Sequence, residues 1–293
     1  VNANSDSHAD LYKALKGGSN NFGVVTGLDL RAIPQEGLWG GQAFYNISVL
    51  PSLLEKFSAF GLRKSYDEFA QLTLLYGRIG NASFVTTHQH YTKPQPPPST
   101  VFDTFEDLQL NSTFRVDSLT NFTIELEAPR DGSVRKAFAT STYKNNLQML
   151  QRFSERAEDI TKELGSVTGL QFVVSLQPFG QFITGKAAAT GGNLLGLETG
   201  GMDRVVVCLT VNWADEADDG MMNEAIRALI SQGRSDAEEL GASDEFLFQN
   251  YAAVWQDVYG GVGKENREAF KTVSRRYDPS QLFQKAVLGG FKL

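Results

Sequence analysis

Residues 10–31, DLYKALKGGSNNFGVVTGLDLR, limit the fold more than any other stretch of the chain. Asp10 is a good N-cap, Leu11 and Leu15 lie one helical turn apart, and Gly17 with Gly18 supplies the left-handed stop that a short helix needs. From Phe22 onward Val24, Thr26, Leu28 and Leu30 alternate with Val25, Gly27, Asp29 and Arg31, which predicts a strand with one apolar face. Between helix and strand the run GGSNNFG removes Cβ atoms that would keep a ligand from the backbone. Two readings stay open on these residues alone, an ordinary helix stop and a cofactor lining. The spacing is not G-x-G-x-x-G. Gly18 and Gly23 are spaced like the Walker glycines, but Val24 and Val25 follow where Lys and Ser/Thr are required.

The 293 residues can form one large or two medium domains, and 41% apolar content is ample for a core. A net charge of −7 without a basic stripe argues against nucleic acid as a partner. No run of 18 apolar residues is present, so no membrane span is expected. The single cysteine, Cys208, excludes an internal disulfide and sits in the apolar run 205–209, the setting of a buried, inert thiol. The chain opens on Val1 with no charged or apolar leader, so a signal peptide is expected to have been removed or to lie outside it. Four N-x-S/T sequons, at Asn46, Asn81, Asn111 and Asn121, point to a secreted, extracellular glycoprotein, with an intracellular location left open.

Residues 32–41 read as a connection, broken by Pro34 and three glycines, with Trp39 buried by the next elements of the chain. A helix is predicted over 50–60 with Leu53, Leu54, Phe57 and Phe60 on one face. Strands at 71–78 and 83–91 flank Gly80-Asn81 as a hairpin. His88 and His90 share a face of the second strand, but no third ligand lies nearby to complete a metal site. A short helix is predicted over 102–108 and a strand over 134–143. The helix over 145–164 is the clearest, with Leu147, Leu150, Phe153, Ala157, Ile160 and Leu164 at spacings of three or four. The strongest strands are 169–177 and 204–213. The small-residue passage between them, PFGQFITGKAAATGGNLLGLETGG, is either a surface loop or a substrate gate. The acids at 215–219 suit a helix entrance. A strand-like segment at 245–252 and a helix over 264–277 close the chain. The pattern predicts an α+β protein whose mixed or antiparallel sheet is covered by helices on one face.

DLYKALKGGSNNFGVVT resembles the D-L-x-x-A-L-x-G-G-x-x-N-F-G-I-V-T block of the berberine-bridge-enzyme-like branch of the vanillyl-alcohol-oxidase superfamily of FAD-binding oxidases. The match runs over seventeen consecutive positions. At the other end, Phe248-Gln249-Asn250-Tyr251 resembles the family's Y-x-N-Y block. Residues 263–293 resemble its closing G-x-E-N-x-x-x-L-x-x-V-x-x-K-Y-D-P-x-x-x-F region. The resemblance implies the end of an FAD-binding domain at 1–36, a substrate domain at 37–242, and a C-terminal segment at 243–293 that returns to the FAD domain. It also implies that the family's R-S-G-G-H-type loop, where covalent flavin attachment occurs, lies outside this chain. His8 has no glycines beside it. The chain alone is therefore expected to bind flavin poorly and to be inactive without an N-terminal FAD-binding half as its partner.

By the same resemblance, Gly17, Gly18, Asn21, Gly23, Val24 and Val25 would approach FAD through backbone groups, and Phe248 and Asn250 would reach it from the other end of the chain. Phe248 replaces the family's tyrosine and loses a hydroxyl. The reaction implied is hydride removal from an alcohol, sugar or secondary metabolite to flavin, with molecular oxygen as final acceptor. Tyr251 is the first candidate for the base, and a core or flavin-packing role for its ring stays open. The acid that plant relatives place on a strand would fall near residues 181–184, where this chain has none. Gln177 and Gln181 would then only orient substrate. The other reading is a non-catalytic fragment or pseudo-oxidase acting as a binding module.

Overall fold

Alternation of apolar and polar side chains builds one large sheet, and helical spacing elsewhere supplies its cover. The computed structural model describes residues 1–62, 66–126, 134–197 and 202–293. The strands are β1 (Leu38–Tyr45), β2 (Ala70–Ile79), β3 (Ala82–Tyr91), β4 (Gln109–Ser112), β5 (Arg115–Asp117), β6 (Arg135–Lys144), β7 (Gln171–Phe179), β8 (Arg204–Trp213) and β9 (Ser243–Asp244). Their order is β4-β1-β3-β2-β7-β8-β6-β9, with β5 also paired to β1, and each ladder is antiparallel. The hairpin of β2 and β3 closes through Gly80-Asn81 as the sequence predicts. Gly80 takes φ +55°, suiting the primed turns that match strand twist.

Register fixes two unlike faces. On one face lie Leu72, Leu74 and Tyr76 of β2, Phe172, Val174 and Leu176 of β7, and Val205, Val207, Leu209 and Val211 of β8, all buried. Helices α2 (Leu50–Gly61), α5 (Leu147–Glu163) and α7 (Asp219–Glu239) cover it. In α5 the Asn146 side chain accepts from the Met149 N–H at 3.0 Å. Successive turns of this helix bury Met149, Leu150, Phe153 and Ala157 against the sheet. A guanidinium fork from Arg156 grips Asp236 of α7 and ties the two helices.

A second, smaller core joins the chain ends. Leu11 and Ala14 of α1 (Ala9–Leu15) and Phe22 pack with Tyr259, Val262, Phe270 and Val273, the last two from α8 (Lys264–Tyr277). Asn21 is fully buried at this junction. Its amide contacts the carbonyls of Gly18 (2.8 Å) and Phe291 (2.9 Å) and the Tyr259 hydroxyl (3.1 Å), and its Oδ1 accepts from Gln284 at 2.8 Å.

Three sequence expectations change. Residues 22–31 form no ladder among the described residues, because a strand needs a neighbouring backbone and none lies alongside. Val24 (78% exposed), Leu28 and Leu30 (83%) therefore face outward. Residues 38–41, read as connection, open β1. Gly40 and Gly41 sit there because a Cβ would meet the Gln89 carbonyl at 2.6 Å and the Thr113 carbonyl at 2.8 Å. Residues 245–252 carry one 3₁₀ turn, Gln249–Tyr251, in place of a strand. Their aromatic rings pack onto the sheet and do not alternate along it. Trp39 is buried as expected, stacked against Phe102.

Candidate functional site

The face of the sheet turned away from the helices carries Gln71, Thr73 and Leu75 of β2, Val173, Ser175 and Gln177 of β7, and Val206, Cys208 and Thr210 of β8. Both flanks are roofed. On the β1–β3 side stands α4 (Leu119–Glu125), whose Phe122 meets the His90 ring edge-on at 5.2 Å. On the β6–β8 side residues 246–256 lie across the strands. There Gln256 mimics a neighbouring strand: its Oε1 accepts from the Thr140 N–H (3.0 Å) and its Nε2 donates to the Thr140 carbonyl (2.7 Å). A trough is left between them.

At one end of the trough Gln177 Nε2 donates to the Tyr251 hydroxyl at 3.1 Å, and the Phe248 ring meets Tyr251 edge-on at 4.8 Å. A cavity of about 460 Å³ opens beside this pair, lined among others by Tyr66, Gln71, Gln177, Phe182, Val206 and Phe248. Tyr66 and Phe182 stack at 3.7 Å and close one wall. Phe182 belongs to α6 (Gln181–Thr184), within the passage read as loop or gate; residues 198–201 of that passage lie outside the described residues. Gln181 is exposed at the start of α6, its N–H donating to Asp203 at 3.3 Å, and it does not line the cavity.

The titratable groups in the trough are shifted by its half-buried setting. Burial, then the neighbouring His90, brings His88 down from 6.5 to about 4, so its imidazole is neutral near pH 7. Burial raises Glu125, but Arg115 (2.6 Å), Thr113 and Gln42 more than compensate and hold its carboxyl below the usual range. Burial pushes the Cys208 thiol up to about 11, which matches the inert role expected of it. His90 bonds Gln71 at 3.1 Å.

A second cleft, of about 290 Å³, joins the two ends of the chain: Gly17 shares its walls with Phe248, Gln249, Asn250 and Tyr259. Whether a flavin fits here can be tested on the glycines. Gly17 holds φ +107°, which favours glycine, and a Cβ at Gly18 would strike the Phe22 ring at 2.2 Å and the Ala14 carbonyl at 2.4 Å, so the fold of the chain itself accounts for both glycines. A Cβ at Gly23 meets nothing within 4 Å, and Val24, Val25 and Asn250 are exposed beside open space. The Asn21 side chain is spent on internal hydrogen bonds and its carbonyl accepts from Ser274 Oγ at 3.1 Å, so this buried residue fixes the backbone around it and offers a ligand no side-chain contact. Ligand pockets start near about 300 Å³. The residues present therefore fit one wall of a flavin site, around a ring and not around a whole dinucleotide.

The structure thus brings together Tyr251, Gln177, Phe248, Asn250 and Gly17 across more than two hundred residues, and sets Gln181 apart. The trough floor, with Thr73, Ser175 and Thr210, is not singled out by sequence reasoning. Its signal is the polar member in each apolar alternation of β2, β7 and β8. The four sequon residues Asn46, Asn81, Asn111 and Asn121 are all exposed. No described helix is long and apolar enough to cross a membrane.

No family model matches the chain. The FAD-dependent monooxygenase elcE of Phaeosphaeria nodorum is 32% identical over 311 residues, covering 100% of this chain and 89% of that protein. Against other relatives named FAD-dependent monooxygenases the chain spans only 57% to 66% of their length. Among solved structures, 6-hydroxy-D-nicotine oxidase from Arthrobacter nicotinovorans superimposes with a TM-score of 0.70 at 16% identity, covering 96% of this chain and 61% of that one. Berberine bridge enzyme from Eschscholzia californica gives 0.64 at 14% identity, covering 94% and 59%. At such identities the likeness establishes the fold.

Proposed function

We propose that this chain, which belongs to the family of the FAD-dependent monooxygenases and has the fold of 6-hydroxy-D-nicotine oxidase and berberine bridge enzyme, supplies the substrate floor and one wall of the flavin site in an enzyme that removes hydride from an alcohol, sugar or secondary metabolite. The observation that carries this reading is the convergence of Gly17 and residues 248–250 on one cleft, next to the Gln177–Tyr251 hydrogen bond. FAD, when bound, supplies the hydride acceptor and passes the electrons to molecular oxygen.

The chain's own residues divide the remaining work. Of the six residues at the start of the chain, Gly17, Gly23, Val24 and Val25 present backbone to the flavin, while Gly18 and Asn21 are buried and hold that backbone in place. Phe248 and Asn250 face it from the other side of the cleft. Tyr251 is the group placed to take the substrate hydroxyl proton as hydride leaves the adjacent carbon, so a carbonyl forms and no charge is stranded on carbon. Gln177 donates to the phenol oxygen and fixes its direction. The apolar walls of Tyr66, Phe182 and Val206 exclude water from the substrate.

In this reading residues 1–36 and 243–293 belong to the flavin domain and 37–242 to the substrate domain. The outward row of Val24, Leu28 and Leu30 then pairs with an N-terminal half of the enzyme and is covered by it. The 290 Å³ cleft supports an inactive isolated chain. The exposed sequons support glycosylation and secretion.

The test is Tyr251→Phe in the complete flavoprotein. Anaerobic reduction of its flavin by substrate is expected to slow by about 10²- to 10⁴-fold with unchanged flavin content. An unaltered reduction rate removes Tyr251 from the chemistry. A complete protein without flavin absorbance leaves the binding-module reading in its place. The relatives' name favours a second outcome, oxygen insertion. Labelled dioxygen separates the two: label in the product means monooxygenation, whereas unlabelled product with equimolar peroxide means an oxidase.

A further inference from the structure

We infer that the cavity beside Gln177 and Tyr251 takes a flat, uncharged aromatic alcohol and turns sugars away. The inference rests on the reading of this site as one that removes hydride from an alcohol, and it narrows the substrate classes named there to one. Four rings line the cavity, those of Tyr66, Phe179, Phe182 and Phe248. Tyr66 and Phe182 stack at 3.7 Å with 18° between their planes and form an aromatic slab at one wall. Leu72, Ile183 and Val206 add aliphatic surface. Walls of this kind favour a ring that lies against them, by contact area and by the geometry of ring pairs. Phe248, which has no hydroxyl to offer, lines the flavin cleft as well, so a ring held against it lies next to the flavin.

The polar groups of the lining are few and mostly spent. The Tyr66 hydroxyl donates to the Ala70 carbonyl. Gln71 is pinned at both ends, its Nε2 donating to Thr73 at 2.7 Å and its Oε1 bonded to His90 at 3.1 Å. Glu68 and Lys186 stand exposed at the rim and pair with each other at 3.3 Å, so the entrance carries no net charge. Gln177 has capacity left: it is half-buried, spends its Nε2 on Tyr251, and its Oε1 has no partner among the described residues. That oxygen accepts from a substrate hydroxyl. A sugar carries a hydroxyl on nearly every carbon, and each one that enters these walls unpaired gives up water for nothing. A charged substrate meets the same difficulty, because the charges at the rim already neutralise each other.

The test uses the complete flavoprotein and separates binding from oxidation. 2-Naphthol, which has an O–H to donate but no hydride to give, should bind saturably, read from its emission, and neither cellobiose nor the anionic 2-naphthoate should displace it. 2-Naphthalenemethanol should reduce the flavin anaerobically: its carbinol carbon gives a hydride to flavin, its hydroxyl gives up a proton, and 2-naphthaldehyde is released. Phe182→Leu keeps the apolar volume and removes the ring, and should weaken 2-naphthol about 3- to 10-fold with unchanged flavin content. Unaltered affinity in that variant overturns the inference, as does 2-naphthoate binding as tightly as 2-naphthol. Flavin reduction by cellobiose without binding of 2-naphthol also overturns it, and leaves the hydride reading standing. Binding of 2-naphthol that depends on Phe182, with a flavin that 2-naphthalenemethanol leaves oxidised, supports the aromatic cavity and removes the hydride reading instead.

Discussion

The two faces of the sheet are made by the same strands and differ in every other respect. Along β7, Phe172, Val174 and Leu176 are buried under α2 and α5, whereas Val173, Ser175 and Gln177 alternate with them and stay half-exposed. The helix-covered face is mostly apolar and lies under α2, α5 and α7. The trough face mixes Thr, Ser, Gln, His and Cys, and carries the Gln177–Tyr251 contact. A face that exists for stability needs only volume and apolarity, whereas a face that meets a substrate must leave polar groups with capacity to spare.

The largest expected effect breaks the comparison on its stable side. Phe172 is fully buried and its ring fills the space beneath α2 and α5. Phe172→Ala should cost about 3–5 kcal/mol, read as a fall in the urea midpoint with the slope unchanged. A loss below about 1 kcal/mol would mean that the helix layer collapses into the gap.

The closed face was the legible one. Helical spacing in residues 147–164 and apolar runs at 169–177 and 204–213 located α5, β7 and β8 to within about two residues, because burial on one face imposes a period that sequence displays directly. Two things were hidden. Gly40 and Gly41 read as a break, yet they are glycines because neighbouring strands come too close for a Cβ, a condition no local pattern reveals. Residues 22–31 alternate like a strand, but a ladder also requires a neighbour, and alternation cannot say whether one is there. The trough itself depends on register. Tyr251 and Gln177 are 74 positions apart and meet only because residues 246–256 cross the sheet, where aromatic packing and not strand pairing holds them.

A smaller effect separates the faces by pH. His88 on the trough side has its folded value lowered from 6.5 to about 4, so between these limits the unfolded chain binds more protons than the folded one. Its contribution is complete above pH 6.5, declines as pH falls through that window, and has largely gone by about pH 4, a loss of about 3 kcal/mol. His88→Gln should flatten the stability profile in that range. Asp236 in the helix layer, held low chiefly by Arg156, acts further down: its contribution is present above 3.8 and is lost as pH falls below that value. Asp236→Asn should therefore leave the pH 4 to 6.5 slope intact. If it removes that slope, acid sensitivity originates in the helix layer and the separation fails.

The smallest expected effect sharpens the comparison to adjacent positions. Ser175 directly succeeds Val174 on β7 but faces the trough, paired in register with Leu75 and Cys208. Ser175→Ala removes one oxygen from a half-exposed surface and should change stability by less than about 0.5 kcal/mol, whereas Val174→Ala next to it opens space in the core and should cost several times more. Substrate affinity of the complete enzyme should respond in the opposite order, because Ser175 lies on the trough floor two residues from Gln177 and Val174 lies under the helices. Should Val174→Ala disturb substrate affinity more than Ser175→Ala does, the sheet transmits strain between its faces, and stability and binding cannot be assigned to separate sides.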